Sequence, residues 1–274
     1  MIRISLWGVF AVMFVIAFSK VSYTLAGQKD RGGSFLLEWI EHPKKHGHSE
    51  KAKPEDQTEF LCIHTYDRGA GKEAFNAAIA QIKEGDLLAF RMTPWEARKN
   101  ILKGGVGKIC YRLCEYGHLA IVAKNPTNTV ELRVFSSESF MGPTAREEFW
   151  MLEDQRWDIF RLNKSERINT KRLDEFVKLS IEKAGKWNGY DFTGIFGVWN
   201  SNTKPASPGK IGKEYICSTV VVAALYYAGV ELDAVKRGGI ADIVTPKQVL
   251  MSKGCIVDIP DISVEGKEVQ SGKP

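Results

Sequence analysis

The sequence lacks a strong excess of either charge, and it lacks internal repeats and low-complexity tracts. Its 38 Lys and Arg residues stand against 33 Asp and Glu, a formal charge of +5. Without residues 1–26, which carry Arg3 and Lys20, the balance is 36 against 33, or +3. Charge this mild and evenly spread argues against a nucleic-acid partner, which needs a basic stripe or patch. The absence of a repeat excludes solenoids and propellers. What remains is an ordinary globular composition, at a length that suits one generous domain or one domain with insertions.

Long apolar runs are also scarce. The N-terminal stretch from Ile4 to Phe18 is apolar apart from Ser5, with Gly8 inside it, and is short for a membrane-spanning helix. It follows a basic start, Met1-Ile2-Arg3, and leads to small residues with an acceptable cleavage site at Thr24-Leu25-Ala26. Residues 1–26 therefore read as a secretory signal peptide or an uncleaved N-terminal anchor. Either reading predicts an exported, periplasmic or extracellular protein, with membrane association through this segment in the second case. No cysteine follows the run to take a lipid, which argues against a lipoprotein.

Cysteine is sparse and odd in number: Cys62, Cys110, Cys114, Cys217 and Cys255. In an oxidising compartment an odd count leaves at least one thiol unpaired, and Cys217 is a candidate for it. Cys217 opens Glu214 to Gly229, EYICSTVVVAALYYAG, the most informative stretch of the chain. Apolar residues recur at 217, 220, 221, 224, 225 and 228, and the segment is apolar nearly all round. This predicts a buried helix ending at Gly229. A thiol at the first turn faces unpaired N–H groups and the positive end of the helix dipole. That setting favours thiolate, lowers the thiol pKa, and offers donors for an oxyanion. A buried, inert cysteine is the competing reading.

Residues 27–57 are polar and irregular. Their histidines, His42, His46 and His48, read as a solvated tail because nothing fixes a ligand geometry. From there the pattern predicts a strand at Phe60–His64 and a helix over Lys72–Lys83. Gly85-Asp86 then turns into a strand at 87–90. Residues 92–114, with Pro94 and several glycines, read as an inserted helix and loop. Gly117 to Ala123, Asn125 to Asn128 and Val130 to Ser136 read as a hairpin. Trp157–Leu162 is a further strand, and Thr170–Trp187 an amphipathic helix capped by Asn169 or Thr170. A short helix from Thr245-Pro246 and a closing strand at 256–259 end a domain of 58–262, leaving 263–274 as a disordered tail.

Two constellations compete for the cysteines and histidines. Cys110, Cys114 and His118 could bind a metal, but Gly117 breaks their shared face and a fourth ligand is not evident, so no metal and no cofactor is expected. The other is a nucleophile and base, Cys217 with His118 at the start of its strand.

The order of motifs supports the second. Gly85-Asp86 with its strand to Arg91 comes first, then Gly117-His118-Leu119-Ala120, Tyr190-Asp191-Phe192, Tyr215-Ile216-Cys217-Ser218 and Thr245-Pro246. This order resembles the permuted NlpC/P60 papain-like group, with the YaeF/YiiX-like amidases as the nearest match, over about Lys83 to Ile259. The resemblance implies an α+β, circularly permuted papain-like fold in which a small antiparallel sheet packs on the buried helix carrying the cysteine. It implies Cys217 as nucleophile, His118 as base and the backbone of Cys217 as oxyanion donor. It also implies a third polar residue on the next strand. Here that residue is Glu138 or Ser136, which lie two apart and so share a strand face. The acidic residue the group often carries two places after the cysteine is Thr219 in this chain. The activity implied is hydrolysis of an amide in a cell-wall peptide or lipid-linked substrate. Ester chemistry of the lipid acyltransferase or phospholipase kind, or a non-catalytic binding module, is the alternative.

Overall fold

The computed structural model describes residues 52–92, 115–138, 141–184, 202–233 and 245–257. The N-terminal apolar segment, the histidine-rich stretch, Cys110, Cys114, Tyr190 and Asp191 lie outside these residues.

The fold is α+β. Strand β1 (Gln57–Tyr66) precedes helix α1 (Lys72–Ile79). Strands β2 (Leu87–Arg91), β3 (Tyr116–Asn125), β4 (Asn128–Glu138), β5 (Gly142–Glu147) and β6 (Trp157–Leu162) follow, then α2 (Thr170–Ala184) and α3 (Cys217–Tyr227). Strand β7 (Val230–Leu232), α4 (Pro246–Leu250) and β8 (Lys253–Ile256) complete the described chain. All strands join one antiparallel sheet in the order β5-β4-β3-β2-β6-β1-β8-β7. At eight strands it is larger than the small sheet expected. It gains β5 and β7, and β1 extends beyond the predicted segment at both ends.

The central strands are buried on both faces, which is why Leu87 to Phe90 is a continuous apolar run rather than an alternating one. Leu87, Ala89, Leu119, Ile121 and Phe135 face α2 and α3. Leu88, Phe90, Ala120, Val122 and Ile159 face the opposite way, toward Phe75 and Ala78 of α1 and toward Trp157. Successive side chains of a strand point to opposite faces, so each strand supplies both layers.

The Gly85-Asp86 turn closes one end of the sheet. Gly85 has φ +87°, a conformation that L side chains rarely adopt, and a Cβ there would meet Ile168 Cδ1 at 3.1 Å. Its N–H donates to Val122 O, and Val122 N–H donates to Asp86 O, both at 2.8 Å. Asp86 is buried and accepts from Lys83 N–H and from both Nε and Nη2 of Arg161, each at 2.7 Å. A buried carboxylate held by a guanidinium fork and a backbone donor is a satisfied charge.

Helix α3 is buried along its length, as the apolar pattern requires. Gly229 follows it at φ +93° and donates its N–H to Tyr226 O. Asn169 Oδ1 accepts Arg172 N–H and so caps α2, while Asn169 N–H reaches Ala228 O and ties the start of α2 to the end of α3.

Candidate active site

Cys217 is the first residue of α3 and is buried. The turn that presents it is fixed by side chains of its own segment. Thr219 Oγ1 accepts Ile216 N–H at 3.0 Å, so the residue where an acid was expected serves as a cap. Tyr215, fully buried, accepts Gly212 N–H on its hydroxyl at 2.7 Å.

The sheet is open where this turn meets it. The β3–β4 ladder runs from Asn125–Asn128 to Ile121–Phe135 and stops. Beyond Phe135, β4 follows β5 alone, with Ser136 opposite Thr144, Ser137 opposite Pro143 and Glu138 opposite Gly142. The backbone groups of Val122 point to β2, and those of adjacent strand residues point alternately to either side. The N–H of Leu119 therefore points toward β4, past the end of the ladder. It lies against the Cys217 thiol instead, together with the N–H groups of Ser218 and Cys217 itself.

These three donors favour thiolate, as the helix-end argument predicts. Burial outweighs them, and the Cys217 pKa is raised, not lowered. The sequence expectation failed in sign because it counted the helix end and not the desolvation of a thiol enclosed by protein.

His118 stands next to Leu119 on β3, so the thiol reaches the strand one residue from the predicted base. The imidazole takes the other face. His118 pairs with Phe90, and the two rings lie 5.5 Å apart. Phe90 belongs to the apolar layer away from α3. No hydrogen bond joins the imidazole to the thiol or to any other side chain among the described residues. The ring is half-buried, and the surrounding protein pushes its pKa down to about 4, leaving it neutral at physiological pH.

Counting on from Ile121–Phe135, Glu138 falls opposite His118 and Ser136 opposite Ala120, with the strands already parted at this level. Ser136 is buried and Glu138 half-buried. Burial raises the Glu138 pKa, the Glu147 carboxylate adds to the rise, and Arg146 partly offsets it. Neither residue hydrogen-bonds His118.

Sequence reasoning missed two features at this end of the sheet. Ser137, between the two residues considered, donates from its buried hydroxyl to Tyr215 O at 2.5 Å. A polar cluster also lies at this end of β2, β3 and β6. Tyr116 donates to Asp158 Oδ2 at 2.8 Å, and Arg91 Nε lies 2.9 Å from Asp158 Oδ1 as an ion pair. Burial, followed by the bond to Asp158, raises the Tyr116 pKa. The only sequence signals were polar residues closing otherwise apolar strands: Arg91 after LLAF, and Ser136-Ser137-Glu138 after VF.

Among the described residues, Cys62, Cys217 and Cys255 are free thiols, with Cys62 exposed. The same residues contain no group of three His, Cys, Asp or Glu side chains placed to hold a metal ion. No helix among them is long and apolar enough to cross a membrane. Comparison of the chain with protein-family models, curated proteins and solved structures finds no match.

Proposed function

We propose that the chain is an exported cysteine-dependent hydrolase of an amide bond, working through Cys217 and His118 on a circularly permuted papain-like arrangement. The observation that carries this reading is the setting of the Cys217 thiol. It sits at the first turn of a buried helix, under the N–H groups of Leu119, Cys217 and Ser218, one residue along β3 from His118.

The electrostatics support a resting pair that is neutral. A thiol raised by burial is a weak acid, and an imidazole lowered to about 4 is a weak base. Proton transfer between them is unfavourable until substrate supplies a charge for the N–H donors to hold. On this reading the imidazole turns from the Phe90 face to the thiol past the end of the β3–β4 ladder. His118 takes the thiol proton as sulfur bonds to the amide carbonyl carbon, and the carbonyl oxygen becomes an oxyanion held by backbone N–H groups. The imidazolium then protonates the leaving amine as the C–N bond breaks. Water, losing a proton to His118, attacks the thioester, and the C–S bond breaks to release the acid and restore the thiol. On this reading Glu138 or Ser136, on the strand that has parted from β3, orients the ring.

A panel of small amide and ester substrates, run with the wild-type chain and Cys217→Ala, tests the reading. Amide turnover lost in Cys217→Ala is the expected result. Turnover of esters alone would redirect it to lipid-type ester chemistry. Turnover retained in Cys217→Ala contradicts it. A non-catalytic binding module is the second reading, favoured by the absence of a hydrogen bond between thiol and imidazole.

A further inference from the structure

We propose that Ser137 is a positioning residue for Cys217, its hydroxyl holding the first turn of α3 so that the thiol stays against the N–H of Leu119. This rests on the reading of Cys217 as the nucleophile and adds to it the residue that sets its geometry. Three observations converge on Ser137. The first is the parting of β3 and β4 after Ile121–Phe135, which leaves the end of β4 free of β3. The second is the use made of that end. Ser137 donates to Tyr215 O, 78 residues on in the chain and two before Cys217. Both residues are fully buried, so water cannot replace the bond. The third is that the other side-chain hydrogen bonds of Tyr215 and Ile216 among the described residues are local, while Lys183 of α2 reaches this segment further back, at Pro208 O and Ile211 O. Tyr215 hydroxyl bonds Gly212 N–H and Asn202 O, and Ile216 N–H bonds Thr219, all within the 202–219 segment. Those ties fix the shape of the turn. The Ser137 bond ties the turn to the end of β4, beside the ring packing of Tyr215 on Phe176, and so bears on how Sγ meets Leu119.

Removing the hydroxyl lets the turn draw back from β3. The thiol then loses the Leu119 N–H, a donor that favours its ionised form. A role confined to stability would lower the unfolding midpoint and leave the thiol titration unchanged. The test is the ionisation midpoint of Cys217, read from its 13Cβ chemical shift across the alkaline range in the full chain. In Ser137→Ala the midpoint is expected to rise by about one pH unit, equivalent to about tenfold less thiolate at a given pH. In Ser137→Thr, which keeps the hydroxyl, it should return toward the wild-type value. Should Ser137→Ala fail to fold, Ser137→Thr and Ser137→Val carry the comparison, since they differ by the hydroxyl at nearly equal size. A higher midpoint in Ser137→Val supports the proposal. Equal midpoints, or no titration in any of the proteins before alkaline unfolding, overturn it. The readout needs no substrate, so an outcome against the hydrolase reading leaves this one decidable, and the reverse also holds.

Discussion

At the end of β3 that carries Val122 to Lys124, both neighbours bond the strand. Val122 exchanges hydrogen bonds with the Gly85-Asp86 turn, and Ala123 and Lys124 pair with Arg133 and Leu132 of β4. Lys124 adds Asp174 Oδ1 as acceptor for its N–H, and Asp86 is held by Arg161. At the other end, β4 has left. Leu119 turns its N–H to a thiol, the His118 imidazole has no hydrogen-bond partner among the described residues, and the Ser137 hydroxyl bonds Tyr215 O in the turn before α3. The first end uses its polar groups on one another. The second leaves the Leu119 N–H facing the Cys217 thiol, and on the proposed reading that is where the sheet does chemistry.

The sharpest way to break this contrast is to remove the chemistry from the open end. Cys217→Ala should abolish amide turnover, and His118→Ala should lower kcat/KM by about a hundredfold to ten-thousandfold, the range for loss of a general base. Both should leave the thermal unfolding midpoint close to wild type, because neither side chain hydrogen-bonds another side chain among the described residues. A large fall in that midpoint would mean the open end is structural after all.

The closed end should behave in the opposite way. Asp86→Ala leaves the Arg161 guanidinium and Lys83 N–H without their shared acceptor. Breaking such a buried pair costs about 3–5 kcal/mol, measured by urea unfolding. The relative rate of Cys217 alkylation in the folded protein should be unchanged. A shift in that rate would show that the two ends are coupled.

His118 gives a pH signature between these effects in size. Its pKa falls from 6.5 in the unfolded chain to about 4 in the fold, so between those values the unfolded state binds the extra proton. Its contribution is fully present above pH 6.5 and is lost as pH falls toward 4. The interval bounds the effect at about 3 kcal/mol, at about 1.4 kcal/mol per pH unit. Urea unfolding of wild type and His118→Gln across this window should show a shallower acid loss in the variant. Parallel curves would place the imidazole in water. The smallest expected effect is that of Thr219→Ala, which removes the acceptor for Ile216 N–H and should cost about 1 kcal/mol.

Much of this was legible in the residues. The apolar wrap of 217–228 gave a buried helix, and Gly85-Asp86 gave its turn. Trp157–Leu162 gave its strand to the residue. Strand β5 was not legible because GPTARE, with Pro143 and Arg146, neither alternates nor favours a strand, and β7 is three residues long. The face taken by His118 was hidden for a related reason. HLAIVA is apolar at every position after the histidine, so alternation cannot say which set faces α3 when both are buried. The thiol pKa was misjudged because a helix end can be read from sequence, whereas desolvation depends on what distant segments pack over it.

The most direct test is the rate at which a small uncharged thiol reagent modifies Cys217 at neutral pH, mapped by mass spectrometry in the wild-type chain and His118→Gln. Exposed Cys62 in the same protein serves as the internal standard. If thiol and imidazole work as a pair, Cys217 should react in the wild type and at least about tenfold more slowly in His118→Gln, with Cys62 unchanged. Equal Cys217 rates in the two folded proteins would contradict the pairing and leave the open end of β3 as a site without a base.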